Sequence, residues 1–304
     1  IMCGIAGIYN FKDARAVEHE LLRRMTDVIR HRGPDADGIY VNGNIGLGHR
    51  RLSIIDLSEA GRQPMFSADQ QLAIVFNGEI YNFLDYRADL QKRGHSFHSK
   101  TDTEVILYLY REYGEHCLHH LRGMFALALW DAQKQQLFLA RDRIGKKPLY
   151  YYSDGQRLVF GSELKCLLED PTIPKAINYE ALADYLLYLY IPAPKTIYQN
   201  ISKLPPAHYL MCTRDGIRLQ EYWDLSFAHV EEDKSETYFC EKLIELFHEA
   251  VKIRLISDVP LGAFLSGGVD SSGVVAMMAK SGATPLMTTS IGFEEKEFNE
   301  LDYA

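Results

Sequence analysis

The chain has 304 residues, 47% of them hydrophobic and 24% charged, a composition that suits a folded protein with room for two cores. Its formal charge of −8 argues against electrostatic binding to nucleic acid or an anionic membrane, because a phosphate-reading surface must be basic. No apolar run reaches the roughly 18 residues of a membrane span, and the first residues lack the basic and apolar regions of a secretory signal, so a cytoplasmic protein is expected.

From Cys3 to about Tyr209, short strand-like runs alternate with Gly, Asn and Asp turns and a few helical stretches, the pattern of a mixed α and β domain. Leu72–Phe76 reads as a strand running into Asn77-Gly78, a dipeptide that would also suit a simple hairpin turn. Thr101-Asp102-Thr103-Glu104 is a capping box, and Ile106, Leu109, Tyr110 and Tyr113 then recur at helical spacing. Met124–Trp130 and Leu137–Ala140 flank a polar turn like the arms of a hairpin. A layered antiparallel sheet follows from these runs.

The proline-punctuated stretch from Ile191 to Pro206 precedes a polar segment, and the expected organisation is a first domain over 3–212, a linker over 213–235 and a second domain over 236–304. In the second domain, Phe239, Leu243, Leu246, Phe247 and Ala250 mark an amphipathic helix. Leu261–Leu265 reads as a buried strand, Ser266–Ser272 as a loop, Gly273–Ser281 as a helix closed by Gly282, and Leu286–Ile291 as a second strand, together a βαβ unit of a doubly wound parallel sheet. Two strands cannot bury both faces of such a sheet, so the sequence is expected to stop inside this domain at Ala304.

Ser266-Gly267-Gly268-Val269-Asp270-Ser271-Ser272 lies between the expected strand and helix, where backbone N–H groups and the helix dipole favour an anion. The glycines permit close approach to oxygen, the hydroxyls add donors, and Asp270 offers a hard oxygen to a magnesium ion shared with phosphates. The bland alternative is a Gly/Ser turn joining strand to helix. At the other end of the chain, Cys3 directly follows a methionine of the kind removed before a small residue. Removal of Ile1 and Met2 would leave Cys3 with an α-amine of pKa near ~8, suited to act as base for its own thiol. The other cysteines, Cys117, Cys166, Cys212 and Cys240, are widely spaced, suggest neither a disulfide framework nor a zinc site, and read as core thiols.

Cys3-Gly4-Ile5 resembles the start of the amino-terminal nucleophile glutamine amidotransferases. Arg30-His31-Arg32-Gly33-Pro34-Asp35, His49-Arg50-Arg51-Leu52-Ser53-Ile54-Ile55-Asp56, Phe76-Asn77-Gly78-Glu79, Thr101-Asp102-Thr103-Glu104-Val105 and Arg141-Asp142-Arg143 follow in the order of the asparagine synthetase family. The Ser266–Ser272 segment resembles that family's pyrophosphate loop, so the likeness covers nearly the whole chain. The resemblance implies an α+β four-layer αββα sandwich, followed by the start of an α/β adenine-nucleotide α-hydrolase-like parallel-sheet domain.

By the same resemblance, Cys3 is the nucleophile, and the Asn77 side chain and Gly78 N–H stabilise the oxyanion. Arg51 takes the glutamine carboxylate, Glu79 and Asp102 its ammonium, and the backbone groups of Leu52 and Ile54 assist. Leu265 and Ile291 contact adenine and ribose, while Ser266 through Ser272 hold pyrophosphate. His31 and His49 read as structural. The implied reaction is glutamine-dependent asparagine synthesis: glutamine, ATP and aspartate as substrates, Mg²⁺ beside ATP, no metal in the glutaminase half, and a homodimer. Two alternatives stay open. One is an amidotransferase of this family acting on another carboxylate. The other is a glutamine-binding regulatory module, if Cys3 does not carry the free α-amine.

Overall fold

A computed structural model describes residues 3–228, 234–295 and 299–304, so Ile1, Met2 and residues 229–233 of the expected linker lie outside the described residues. The chain divides into two compact units, Ile1–Leu225 and Ser226–Ala304. The first unit begins with β1 (Gly4–Tyr9), α1 (His19–Asp27), β2 (Ala36–Asn42), β3 (Ile45–Arg51), β4 (Met65–Phe66) and β5 (Leu72–Ile80). Next come α2 (Phe83–Lys92), α3 (Asp102–Tyr113), β6 (Gly123–Asp131), β7 (Gln136–Arg141), β8 (Tyr150–Ser153) and β9 (Leu158–Gly161). It closes with α4 (Leu164–Leu168), α5 (Tyr179–Tyr188), β10 (Ile201–Lys203), β11 (His208–Thr213) and β12 (Gly216–Glu221).

Two six-stranded sheets form, in the orders β10-β8-β9-β1-β3-β2 and β12-β11-β7-β6-β5-β4, and their pairings are antiparallel. Strand alternation explains the layers, because successive side chains point to opposite faces. Ile5 and Tyr9 of β1 join Leu47, Val75, Trp130, Leu139 and Phe160 in the layer between the sheets, with the Tyr9 and Trp130 rings 4.9 Å apart. Ala6 and Ile8, facing the other way, pack with Leu22, Met25 and Ile29 of α1 and with Cys166 and Leu167 of α4. β1 is therefore buried on both faces, and the unit is the expected αββα sandwich.

The β6–β7 hairpin forms as the sequence suggests, with Asp131 opposite Gln136. β5 does not turn at Asn77-Gly78 but continues to Ile80, with Asn77 opposite Ala126 and Gly78 opposite Phe125. Glycine is needed at 78 for a close approach, since a Cβ there would lie 2.2 Å from the Met124 carbonyl oxygen. At the start of α3, Thr101 Oγ1 accepts from Glu104 N at 3.3 Å. Glu104 does not complete the capping box; its carboxylate accepts from the backbone N–H of His98 (2.9 Å) and Ser99 (2.8 Å) instead. α3 is buried on every side from Asp102 to Tyr110, more deeply than a single apolar stripe would predict.

The linker expected over 213–235 begins too early. Gly216–Glu221 pairs along β11, from Thr213 opposite Gly216 to His208 opposite Glu221, so the turn residues Asp215 and Gly216 join two strands rather than two domains.

The second unit contains α6 (Glu236–Lys252), β13 (Gly262–Phe264), α7 (Val269–Lys280) and β14 (Met287–Thr289). β13 and β14 are parallel and joined through α7, the expected βαβ unit, with Gly282 at φ +79° just past the helix. Two expectations change here. β13 is not a buried strand: Gly262 and Phe264 are exposed and Ala263 is half-buried, because β14 is its one strand partner among the described residues. α7 starts at Val269, so Asp270, Ser271 and Ser272 occupy its first turn rather than a loop.

The two-sided burial of β1 makes Gly7 a sensitive position. A Cβ there would lie 2.3 Å from Phe160 Cζ and 2.7 Å from the Gly46 carbonyl oxygen. Gly7→Ala should lower stability by about 1–3 kcal/mol through overpacking between the sheets, measured as a fall in the urea midpoint at constant m-value.

Candidate active site

The same alternation that builds the inter-sheet layer carries it into a polar end. Cys3 has the parity of Ile5, His49 and Arg51 that of Leu47, and Asn77 and Glu79 that of Val75, so all five face the space between the sheets just beyond its apolar core. His49 crosses this space and donates from Nε2 to the Phe76 carbonyl oxygen at 3.1 Å, which assigns its proton to Nε2. Burial holds His49 down to about 3, so it is a neutral strut rather than a base.

The Cys3 thiol exchanges two contacts with the backbone of Leu52: Leu52 N–H reaches Sγ at 3.3 Å, and Sγ reaches the Leu52 carbonyl oxygen at 3.5 Å. Burial raises the thiol above its ordinary range, with Leu52 N–H and Arg51 pulling it down and Asp102 pushing it up. The main chain of Cys3 is gripped as well. Arg32 Nε donates to its carbonyl oxygen at 3.0 Å, and Arg32 Nη1 donates to Glu163 at 3.0 Å. Burial alone would raise Glu163, but hydrogen bonds from Arg32, His31 and Lys165 outweigh it and hold the carboxyl at about 2. Arg32 stands in the Arg30–Asp35 motif with no role assigned by it, Glu163 stands in no motif, and 131 residues separate them.

β5 contributes the donors. Tyr81 N–H bonds the Arg122 carbonyl across the β6 side, so by antiparallel alternation the N–H groups of residues 76, 78 and 80 point away from β6. Phe76 N–H is taken by Gln63 Oε1 at 2.6 Å and Ile80 N–H by Asp102 Oδ2 at 2.8 Å. Gly78 N–H lies between them and points into a cleft lined by Cys3, Gly78, Gln63 and Asp102. Next to it, the Asn77 side chain is wholly buried, yet neither its Oδ1 nor its Nδ2 has a hydrogen-bond partner. Such an amide is costly to fold around and points to an absent partner.

Opposite charges line the rest of the cleft, whose volume is about 40 Å³. Arg51 is buried and held by main-chain carbonyls: Nη1 donates to Ser58 at 2.9 Å, and Nη2 to Asp56. Asp102, at the first position of α3, is pushed up to about 6 by burial, with Ile80 N–H lowering it and Glu79 raising it. Arg51, Leu52, Ile54, Gly78, Glu79 and Asp102 line one cleft with Cys3, while Asn77, expected in the same set, is buried next to Gly78 and does not line it.

In the second unit, the Ser266–Ser272 segment closes on itself. Ser271 Oγ accepts from Ser266 N–H at 3.2 Å and donates to the Gly268 carbonyl oxygen at 3.1 Å. Gly268 caps α7 without a side-chain hydrogen bond, and Gly267 takes φ +84°. Leu265 and Ile291 flank the ends of β13 and β14, and Ser290 Oγ donates to the Leu265 carbonyl oxygen at 2.7 Å. No group of three or more His, Cys, Asp and Glu that could hold a metal ion occurs among the described residues, so Asp270 is a single carboxylate here.

The sequence matches the glutamine amidotransferase domain family over residues 2–223 and the asparagine synthase family over residues 242–304. Asparagine synthetase [glutamine-hydrolyzing] 3 of Bacillus subtilis is 40% identical over 307 residues, covering 97% of this chain and 49% of the relative. A putative asparagine synthetase [glutamine-hydrolyzing] 2 of Methanocaldococcus jannaschii is 43% identical, covering 99% of this chain and 62% of the relative. The chain thus spans about half to three-fifths of the length of these relatives. The solved glutamine phosphoribosylpyrophosphate amidotransferase of B. subtilis shares the fold, with TM-score 0.54 at 15% identity over 97% of this chain and 68% of its own. The fold is that of a glutamine amidotransferase domain. The chain belongs to the glutamine amidotransferase family and, within it, to the asparagine synthetase family.

Asp102 gives the site a measurable signature. An unfolded Asp titrates near ~3.9, whereas the folded carboxyl titrates at about 6. Between those values the folded state keeps a proton that the unfolded state has lost, so stability falls as pH rises through this window and does not recover above it. Asp102→Asn should therefore match the parent near pH ~4 and exceed it by about 1–3 kcal/mol above pH ~7, read from urea unfolding at both pH values.

Proposed function

We propose that the first unit hydrolyses glutamine at Cys3 and that the whole protein uses the ammonia to make asparagine from aspartate and ATP. The observation that carries the first half is the buried, unpartnered Asn77 carboxamide, whose chain neighbour Gly78 lines the cleft that holds the Cys3 thiol. A raised thiol pKa means that the thiolate is not preformed and that a base is required. With Cys3 as the first residue, its α-amine takes the proton from Sγ, and Sγ attacks the side-chain amide carbon of glutamine. The oxyanion accepts hydrogen bonds from Asn77 Nδ2 and Gly78 N–H. Collapse expels ammonia, which carries off the proton, and leaves a glutamyl thioester that water cleaves to glutamate and free thiol.

Arg51 and the Glu79–Asp102 pair hold the α-carboxylate and α-ammonium of glutamine, so the amide is presented to Cys3 in one orientation. Asp102 must be ionised to take the ammonium, and KM for glutamine should rise as pH falls below about 6.

In the second half, the backbone and hydroxyls of Ser266, Gly267, Gly268, Val269, Ser271 and Ser272 bind the phosphates of ATP at the start of α7, with Leu265 and Ile291 against adenosine. Asp270 would hold Mg²⁺ through its single carboxylate beside the ATP phosphates. Bound there, Mg²⁺ would neutralise phosphate charge while aspartate is activated as its acyl adenylate. The likeness to asparagine synthetases supports this reading; a cytoplasmic homodimer is proposed with it on the family resemblance alone.

Glutamate release from glutamine tests the first half. Cys3→Ala should abolish it, and Asn77→Ala should lower kcat by about 100- to 1000-fold with a small change in KM. Glutamate release that survives Cys3→Ala would sink the assignment.

A further inference from the structure

Arg51 and Asp102 stand on unrelated elements, the end of β3 and the first turn of α3. A ligand whose carboxylate and ammonium sit on one carbon can be told from a look-alike only if the protein fixes the distance between their two partners. We infer that Asp56 is the positioning residue that sets this span and so makes the cleft select an amino acid with both α-groups free. The inference rests on the glutamine-binding reading above.

Asp56 touches both ends of the cleft's frame. Its carbonyl oxygen accepts from Arg51 Nη2. Its Oδ1 accepts from the N–H (3.1 Å) and Oγ (2.6 Å) of Ser58, and the Ser58 carbonyl oxygen in turn accepts from Arg51 Nη1 at 2.9 Å. Its Oδ2 accepts from Lys100 N–H at 2.6 Å, 44 residues away. Lys100 immediately precedes Thr101, the N-cap of α3, and Asp102 follows. One carboxylate therefore ties the loop that clamps Arg51 to the chain that delivers Asp102.

The residue type supports this role. Asp56 has φ +56°, in the left-handed region where glycine is least strained and Asp is tolerated. If the turn were the whole requirement, glycine would serve better; the aspartate adds the two side-chain ties. Burial alone would raise its carboxyl, but the Lys100 N–H and Ser58 hydrogen bonds outweigh this and hold it below the usual carboxylate range, so it stays a full acceptor.

The test compares L-glutamine with glutaramate, the same chain without the α-ammonium, by titration calorimetry in a Cys3→Ala background so that binding is read without turnover. Asp56→Gly keeps the turn and removes both ties. It should weaken L-glutamine by about 10- to 100-fold, the scale of one lost charge-assisted buried hydrogen bond, and leave glutaramate within about threefold of the parent. Asp56→Asn, which retains one acceptor, should fall between, with a melting temperature close to the parent. Unchanged glutamine binding in Asp56→Gly, equal loss of both ligands, or a parent that does not distinguish them would each overturn the inference. Failure of the glutaminase reading shows separately, as absence of glutamate release from the chain with Cys3 intact.

Discussion

The site depends on one constraint: the outward N–H groups of β5 past its short partner β4 must find acceptors. β4 pairs with Ala73 and Ile74 and goes no further, which leaves the N–H groups of Phe76, Gly78 and Ile80 without a neighbouring strand on that side. A buried donor without a partner costs about 1–3 kcal/mol, so side chains must be brought in. Gln63 reaches Phe76 and Asp102 reaches Ile80. What remains is a single central donor between two satisfied ones, with a buried carboxamide at its side. The proposed oxyanion pocket is a sheet edge whose other donors have been satisfied by side chains.

Placing that edge at the polar end of the inter-sheet layer has energetic consequences. The core between the sheets is filled by Tyr9, Trp130, Phe160 and aliphatic side chains packed without solvent. Where the same strands continue past it, alternation delivers Cys3, His49, Arg51, Asn77 and Glu79 to the same space. These groups do not stabilise the fold as an apolar continuation would. The Asn77 amide and His49 Nδ1 are buried without partners, and the Asp102 carboxyl is forced upward. The sandwich carries this cost because its core is large, and the unpaired groups keep donors and charge in fixed positions before a ligand arrives.

Much of this was legible in the residues. The Met124–Trp130 hairpin arm, the Thr101 cap and the βαβ order of the second unit follow from turn chemistry and periodicity, which are local. The resemblance brought Cys3, Arg51, Gly78, Glu79 and Asp102 to one place. Local signals failed where tertiary context decided. Asn77-Gly78 reads as a turn, but pairing with β6 overrides it and the glycine serves backbone proximity instead. Asp215-Gly216 reads as the edge of a linker and is a hairpin. Phe264 reads as core and is exposed, because a strand's burial depends on neighbours that its own sequence does not specify. Asp56, Arg32 and Glu163 act through contacts spanning 29 to 131 residues, and no spacing rule connects such positions.

Acidity does not distinguish Cys3 from the buried thiols Cys117, Cys166 and Cys212; Cys240, expected in a core, is exposed on α6. Burial also raises Cys166 and Cys212, each to about 12, and raises Cys117 further, so desolvation is common to the four. Cys166 and Cys212 lie within apolar clusters, whereas Cys3 meets a backbone N–H, a positive charge at Arg51, and a main chain pinned by Arg32. A thiol that is hard to ionise reacts when a base stands beside it and the product's charge has donors waiting. The surroundings of Cys3 are built for the second condition, and they make the first depend on the group attached to its nitrogen. On the proposed mechanism, reactivity is therefore a property of the chain's connectivity at Cys3 as much as of the pocket around it.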